Sequence, residues 1–252
     1  MNKHFRVNQV FQTFLMIGIL IHFSQSALAH TLFDIPRLPE LKKVTNHITI
    51  GHGCQGNTVI GTSVVFPDGQ DSIITINDNA HSGTLDEFVS NWGGIFQLLQ
   101  DRSVFAEQDV KQDGNGNTTG FWSGGGRGMA ANLNAQIPFT MSAVLLNSES
   151  CAKSVRFAVA VVDICTITTF ADFADDTVGL WVPAVGSQFD GKPGGHAYDS
   201  PAYLTIVRDL EGNPLSESCG EGIEEVLVKP SAAQINRDMP IRFNGQQVWP
   251  QN

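Results

Sequence analysis

The stretch Val155-Arg156-Phe157-Ala158-Val159-Ala160-Val161-Val162 decides the fold. It is rich in β-branched residues, which lose little when the chain is extended and pack well on a pleated surface. Runs of the same character recur at 48–50, 59–66, 72–76, 139–146, 164–170, 203–208 and 225–228, and Gly, Asn, Asp and Pro separate them. Short strands with turn signals between them predict a mainly β chain, folded as an antiparallel β-sandwich with one or two short helices. The best helix candidate is 86–100, where Leu85, Phe88, Val89, Trp92, Ile95, Phe96 and Leu99 are spaced by three and four. Gly93-Gly94 interrupts it.

The amino-terminal segment has the parts of an export signal. Lys3 and Arg6 give a positive start, residues 14–21 an apolar centre, and Ala27-Leu28-Ala29 a small-residue cleavage site. Residues 1–29 are therefore expected to be removed, leaving a sandwich domain over 30–230, Ig- or cupredoxin-like, and an irregular tail over 231–252. The apolar segment is too short to span a bilayer, so the expected location is exported, periplasmic or extracellular, with no stable membrane insertion. The signal carries two of the 15 basic residues and none of the 25 acidic ones, so the formal charge moves from −10 to −12 on cleavage. A surface this acidic repels nucleic acid and anionic lipid.

All four cysteines, Cys54, Cys151, Cys165 and Cys219, lie in the exported part. An even count in an oxidising compartment, with no C-x-x-C pair, points to two disulfides. Three connectivities are open at this level.

Cleavage after Ala29 would leave His30 with a free α-amino group. The amine nitrogen and the ring Nδ1 of one histidine can chelate a single ion, and nitrogen donors of this kind suit Cu(II). The segment His52-Gly53-Cys54-Gln55-Gly56 follows 22 positions later. It reads either as a tight, disulfide-anchored turn or as the holder of a second nitrogen ligand, His52.

From these residues onward the chain resembles the YcnI-type extracytoplasmic copper-binding proteins. The similarity is carried by His30, by His52-Gly53-Cys54-Gln55-Gly56-Asn57-Thr58, by Val65-Phe66-Pro67-Asp68-Gly69, by Trp122-Ser123-Gly124-Gly125 and by Val161-Val162-Asp163-Ile164-Cys165. It spans roughly residues 30–170. The resemblance implies a β-sandwich and a copper site built on the amino-terminal histidine. In that family a carboxylate completes the coordination and a tryptophan packs near the metal. Trp122 corresponds through its motif. For the carboxylate, Glu87 and Glu107 are the candidates, with Glu107 preferred. The resemblance also implies pairing of Cys54 with Cys165 and of Cys151 with Cys219. The metal ion and another copper-handling protein are the partners it suggests.

Other motifs carry less. Asp113-Gly114-Asn115-Gly116-Asn117 resembles the start of a calcium loop but lacks the glycine and glutamate that complete one, so a turn is expected. His196 stands in a Gly-rich loop, and His47 and His81 have no metal-ligand spacing around them. No nucleophile elbow, His-Glu-x-x-His, phosphate loop or dinucleotide fingerprint is present. The expected function is copper binding and handling without turnover. A copper-dependent oxidative enzyme with a two-histidine brace and a metal-free secreted sandwich are the alternatives.

Overall fold

The computed structural model describes residues 31–194 and 202–252. The expected signal segment, His30 and His196 lie outside the described residues. The strands are β1 (Leu32–Phe33), β2 (Arg37–Pro39), β3 (Val44–Ile50), β4 (Val59–Val65), β5 (Ile73–Ile76), β6 (Asn79–His81), β7 (Phe96–Leu98) and β8 (Glu107–Gln112). They continue as β9 (Thr118–Met129), β10 (Ala135–Met141), β11 (Ser154–Ile164), β12 (Val178–Trp181), β13 (Ala202–Val207) and β14 (Val226–Lys229). One helix, α1 (Ala232–Asp238), and a hairpin of β15 (Ile241–Phe243) and β16 (Gln246–Trp249) close the chain.

Two sheets make the expected β-sandwich. The smaller has the order β1-β3-β10-β7, and the larger runs β6-β5-β14-β11-β4-β9-β8, with β12, β13 and β2 attached along β11 and β13. Pairing is antiparallel except for β11 with β14 and β13 with β2. The reading of 155–162 has a physical sequel here. Val155, Phe157, Val159 and Val161 face the core between the sheets, where Trp92 stacks on Phe157 at 3.6 Å. Ala160, Val162 and Ile164 face a second core on the other side. A strand covered on both faces must be apolar at successive positions, which is why this run is continuous rather than alternating.

Several expectations are corrected. The helix over 86–100 is absent. Leu85–Glu87 form one 3-10 turn, Val89 bridges to Leu146, and Phe96–Leu98 join the small sheet as β7. Gly94 at φ +74° takes the left-handed conformation that ends any helical path, while the apolar residues on either side still reach the core. Strand β11 stops at Ile164, and 164–170 leads instead into a 3-10 turn at Phe170–Asp172. Strand β10 likewise stops at Met141, short of 146.

The tail over 231–252 is not irregular. It supplies α1 and the β15–β16 hairpin, which cover the second core with Ile235, Met239, Ile241 and Trp249. Ser231 caps α1 by accepting from the Gln234 N–H at 3.0 Å. The Lys111 ammonium donates to the Asp238 and Met239 carbonyls at the other end. The Asp113–Asn117 segment is the expected turn, with Asp113 accepting from the Asn115 and Asn117 N–H groups between β8 and β9.

Cys54 is joined to Cys165 and Cys151 to Cys219, the pairing that the resemblance implied. Two disulfides fit an oxidising compartment. Among the described residues no helix is long and apolar enough to cross a membrane.

Candidate functional site

The first described residue, Thr31, is completely buried. Strand β1 follows it immediately and is zipped to β3, with Leu32 opposite Thr49 and Phe33 opposite Ile48. The Thr31 hydroxyl donates to Asp163 Oδ2 at 2.5 Å, and the Thr62 hydroxyl donates to Asp163 Oδ1 at 2.8 Å. Asp163 is the penultimate residue of β11 and is itself buried. Burial pushes its carboxyl up to about 6, against the two hydroxyl donors and the field of His52, which pull the other way.

The His52-Gly53-Cys54 turn abuts the Asp163 main chain. The Cys54 N–H points at Cys165 Sγ at 3.1 Å, and Cys54 Sγ lies 3.9 Å from the Asp163 carbonyl oxygen. Gly53 donates to the Ala131 carbonyl at 3.1 Å, and a Cβ on Gly53 would lie 1.8 Å from the Asn57 carbonyl oxygen. Only glycine fits this close approach. His52 is exposed, and its Nδ1 faces the Gly53 carbonyl. A carbonyl can only accept, so in the neutral ring Nδ1 carries the proton and Nε2 has the free lone pair. Backbone carbonyls set the tautomer of metal-binding histidines in this way.

Glu107 and Trp122 stand elsewhere. Glu107 pairs with Gly124, which pairs with Gly61, which pairs with Ile164. Successive strand residues point to opposite faces, so Ile164, Gly124 and Glu107 share one face and Asp163, Thr62 and Ser123 the other. Trp122 shares the face of Ile164. The structure thus brings Glu107 and Trp122 together, on a cavity of about 210 Å³ behind the large sheet. It sets His52 and Asp163 at the end of the inter-sheet core. In the cavity wall Trp122 packs edge-on against Phe243 at 6.0 Å, and Trp249 is fully buried. The Glu107 carboxylate is half-exposed, 3.9 Å from the Arg102 guanidinium.

The remaining candidates are engaged locally. Glu87 bonds His81 at 2.8 Å and the Thr84 N–H at 3.2 Å. His47 Nδ1 lies 3.5 Å from Asp34 without a hydrogen bond. Among the described residues no three His, Cys, Asp or Glu side chains are grouped to hold a metal. Of the described histidines, His52 is the one whose field is felt at the buried Asp163 carboxylate.

The sequence does not single out Asp163, although it lies inside the Val161–Cys165 motif. The available signal is a lone carboxylate closing an otherwise apolar run. Trp249 escapes notice because it sits in the segment read as tail. Comparison of the chain with protein-family models finds no match, and comparison with curated proteins finds none either.

Proposed function

We propose that the chain is an exported copper-binding protein whose ligands are the α-amino and imidazole nitrogens of His30, with His52 Nε2 as the next donor. The observation that carries this reading is the anchoring of Thr31. An amino terminus normally trails in solvent, whereas Thr31, which cleavage after Ala29 would leave as the second residue, is buried and donates to Asp163. Cleavage after Ala29 would put His30 directly before this tether. Copper bound there would be held as Cu(II) by nitrogen donors, for storage or transfer rather than turnover. Asp163, with both oxygens accepting from threonine hydroxyls, acts on the tether and adds negative charge beneath a cation.

The competing reading is a metal-free secreted sandwich, favoured by the lack of a three-ligand cluster among the described residues. Titration of Cu(II) into the mature protein, followed by electron paramagnetic resonance, separates the two. A form with one extra residue before His30 is expected to bind at least 100-fold more weakly and to lose nitrogen hyperfine lines. Affinity in the mature form should fall as pH drops below about 8, because copper must displace the amine proton. Glu107→Gln is expected to leave affinity unchanged, since that carboxylate faces the opposite side of the sheet. Equal affinity with and without the extra residue would sink the proposal.

A further inference from the structure

The two disulfides stand in unlike surroundings. Cys54 and Cys165 are buried, 6% and 8% exposed, and belong to the core between the sheets. Cys151 and Cys219 are partly exposed, and Ser216, Glu217, Ser218, Gly220 and Glu221 around Cys219 are open to solvent. The segment 214–222, which carries Cys219, is held at its two ends. Before it, the Asp209 N–H and the Asn213 amide donate to the buried Glu40 carboxylate at 2.8 Å and 3.1 Å. After it, the Ile223 N–H donates to the Cys151 carbonyl at 2.8 Å, and the Lys153 N–H to the Ile223 carbonyl at 2.7 Å. Between these anchors the hydrogen bonds of the segment are internal among the described residues. The Cys219 N–H donates to the Ser216 carbonyl at 2.9 Å, and the Gly222 N–H to the Cys219 carbonyl at 2.9 Å. The Cys151–Cys219 bond is thus the one cross-link from the middle of this segment to the sandwich.

We propose that Cys151–Cys219 is a redox-labile latch: a dithiol reduces it in the folded protein and frees 214–222, while Cys54–Cys165 stays oxidised. A thiolate of the reductant attacks one of the two sulfurs, the bond between the cysteines breaks, and a mixed disulfide forms. The second thiol of the same molecule displaces it. Two electrons and two protons pass from the dithiol to the cysteines, and the reductant leaves as its cyclic disulfide. The first attack needs access to a sulfur, which exposure offers at this pair and burial denies at the other. The sandwich outlives the break because the chain beyond Cys151 is bonded on both sides. Ser154 pairs with Val207 of β13, and Val155 with Val226 of β14. What loosens is a surface loop carrying Glu217 and Glu221.

The test uses the oxidised protein stripped of metal with EDTA, so that its outcome is independent of copper. The protein is incubated with dithiothreitol without denaturant, alkylated with N-ethylmaleimide and mapped by mass spectrometry. Cys151 and Cys219 are expected to label together, and Cys54 and Cys165 only after guanidinium chloride unfolds the chain. The far-UV circular dichroism of the reduced protein should match that of the oxidised one. A glutamate-specific protease should cut after Glu217 or Glu221 about tenfold faster once the pair is reduced, because cleavage follows the population of the open segment. The proposal is overturned if Cys54 and Cys165 label as fast as the other pair, if Cys151 and Cys219 label only on unfolding, if reduction abolishes the circular dichroism of the fold, or if it leaves the cleavage rate unchanged.

Discussion

Asp163 shows how one side chain can make stability depend on pH in an unusual direction. Its carboxyl titrates near 3.8 in the unfolded chain and near 6 in the fold, chiefly because burial penalises the charge. Below pH 4 both states hold the proton and there is no cost. Above pH 6 both are ionised and the cost is complete. The native state therefore binds more protons within that window, and the Asp163 contribution to stability falls as pH rises from about 4 to about 6. Each tenfold change in proton affinity is worth about 1.4 kcal/mol, so the loss across the window is on the order of 3 kcal/mol. Asp163→Asn should remove this component, so that denaturant unfolding at pH 4 and pH 7 differs less in the variant than in the parent. An unchanged pH slope would show that Asp163 is not the source. The residue is hidden in sequence because a carboxylate ending a strand looks like a turn signal. Only the arrival of Thr31 and Thr62 from distant strands buries it. His52 and Trp122, by contrast, are legible as chemically distinctive residues, but the sequence holds nothing to say that Trp122 and the Asp163 carboxylate sit on opposite faces of one sheet.

At the scale of elements, the helix α1 owes its place to charge as well as apolar contact. The Arg237 guanidinium donates to Asp238 and Asp68 at 2.7 Å each, and it lies 3.5 Å from Asp71. Asp68 and Asp238 are almost completely buried, 3% and 5% exposed, while Arg237 is half-exposed. Arg237 thus bridges two buried anions, with Lys111 also close to Asp238, and its contacts hold the arginine well above its ordinary range. Breaking such a pair from one side leaves uncompensated buried charge, typically about 3–5 kcal/mol. Arg237→Met should lower stability by that order, read by urea unfolding at neutral pH. A loss below about 1 kcal/mol would mean that solvent already screens the cluster. Elements of this kind are poorly legible in sequence. The seven residues of α1 are too few to be helical alone, and Asp68, which anchors them, lies 169 positions from Arg237. The region 86–100 misleads in the opposite sense. Its three- and four-residue spacing is real, but an irregular segment around Gly94 presents those side chains to the core without turning into a helix.

For the molecule as a whole, the sandwich is readable because alternating turn residues and β-branched runs survive averaging over many strands. The cover on the second core is not, since short strands and a single helical turn or two gain their stability only after docking. Strand β11 ties these layers together. Its first half is bonded to β13 and β14 and its second half to β12 and β4, so both cores are built on the same backbone. Neither layer can be stripped away without exposing a face of that strand. Amide hydrogens of Val155–Val162 should therefore exchange only through global opening, at rates that follow total stability as urea is added. Earlier exchange in the second half of the strand than in the first would mean that the carboxyl-terminal cover peels off by itself. In mechanical terms β11 is a shared spar: the larger sheet cannot part along it without baring both cores at once.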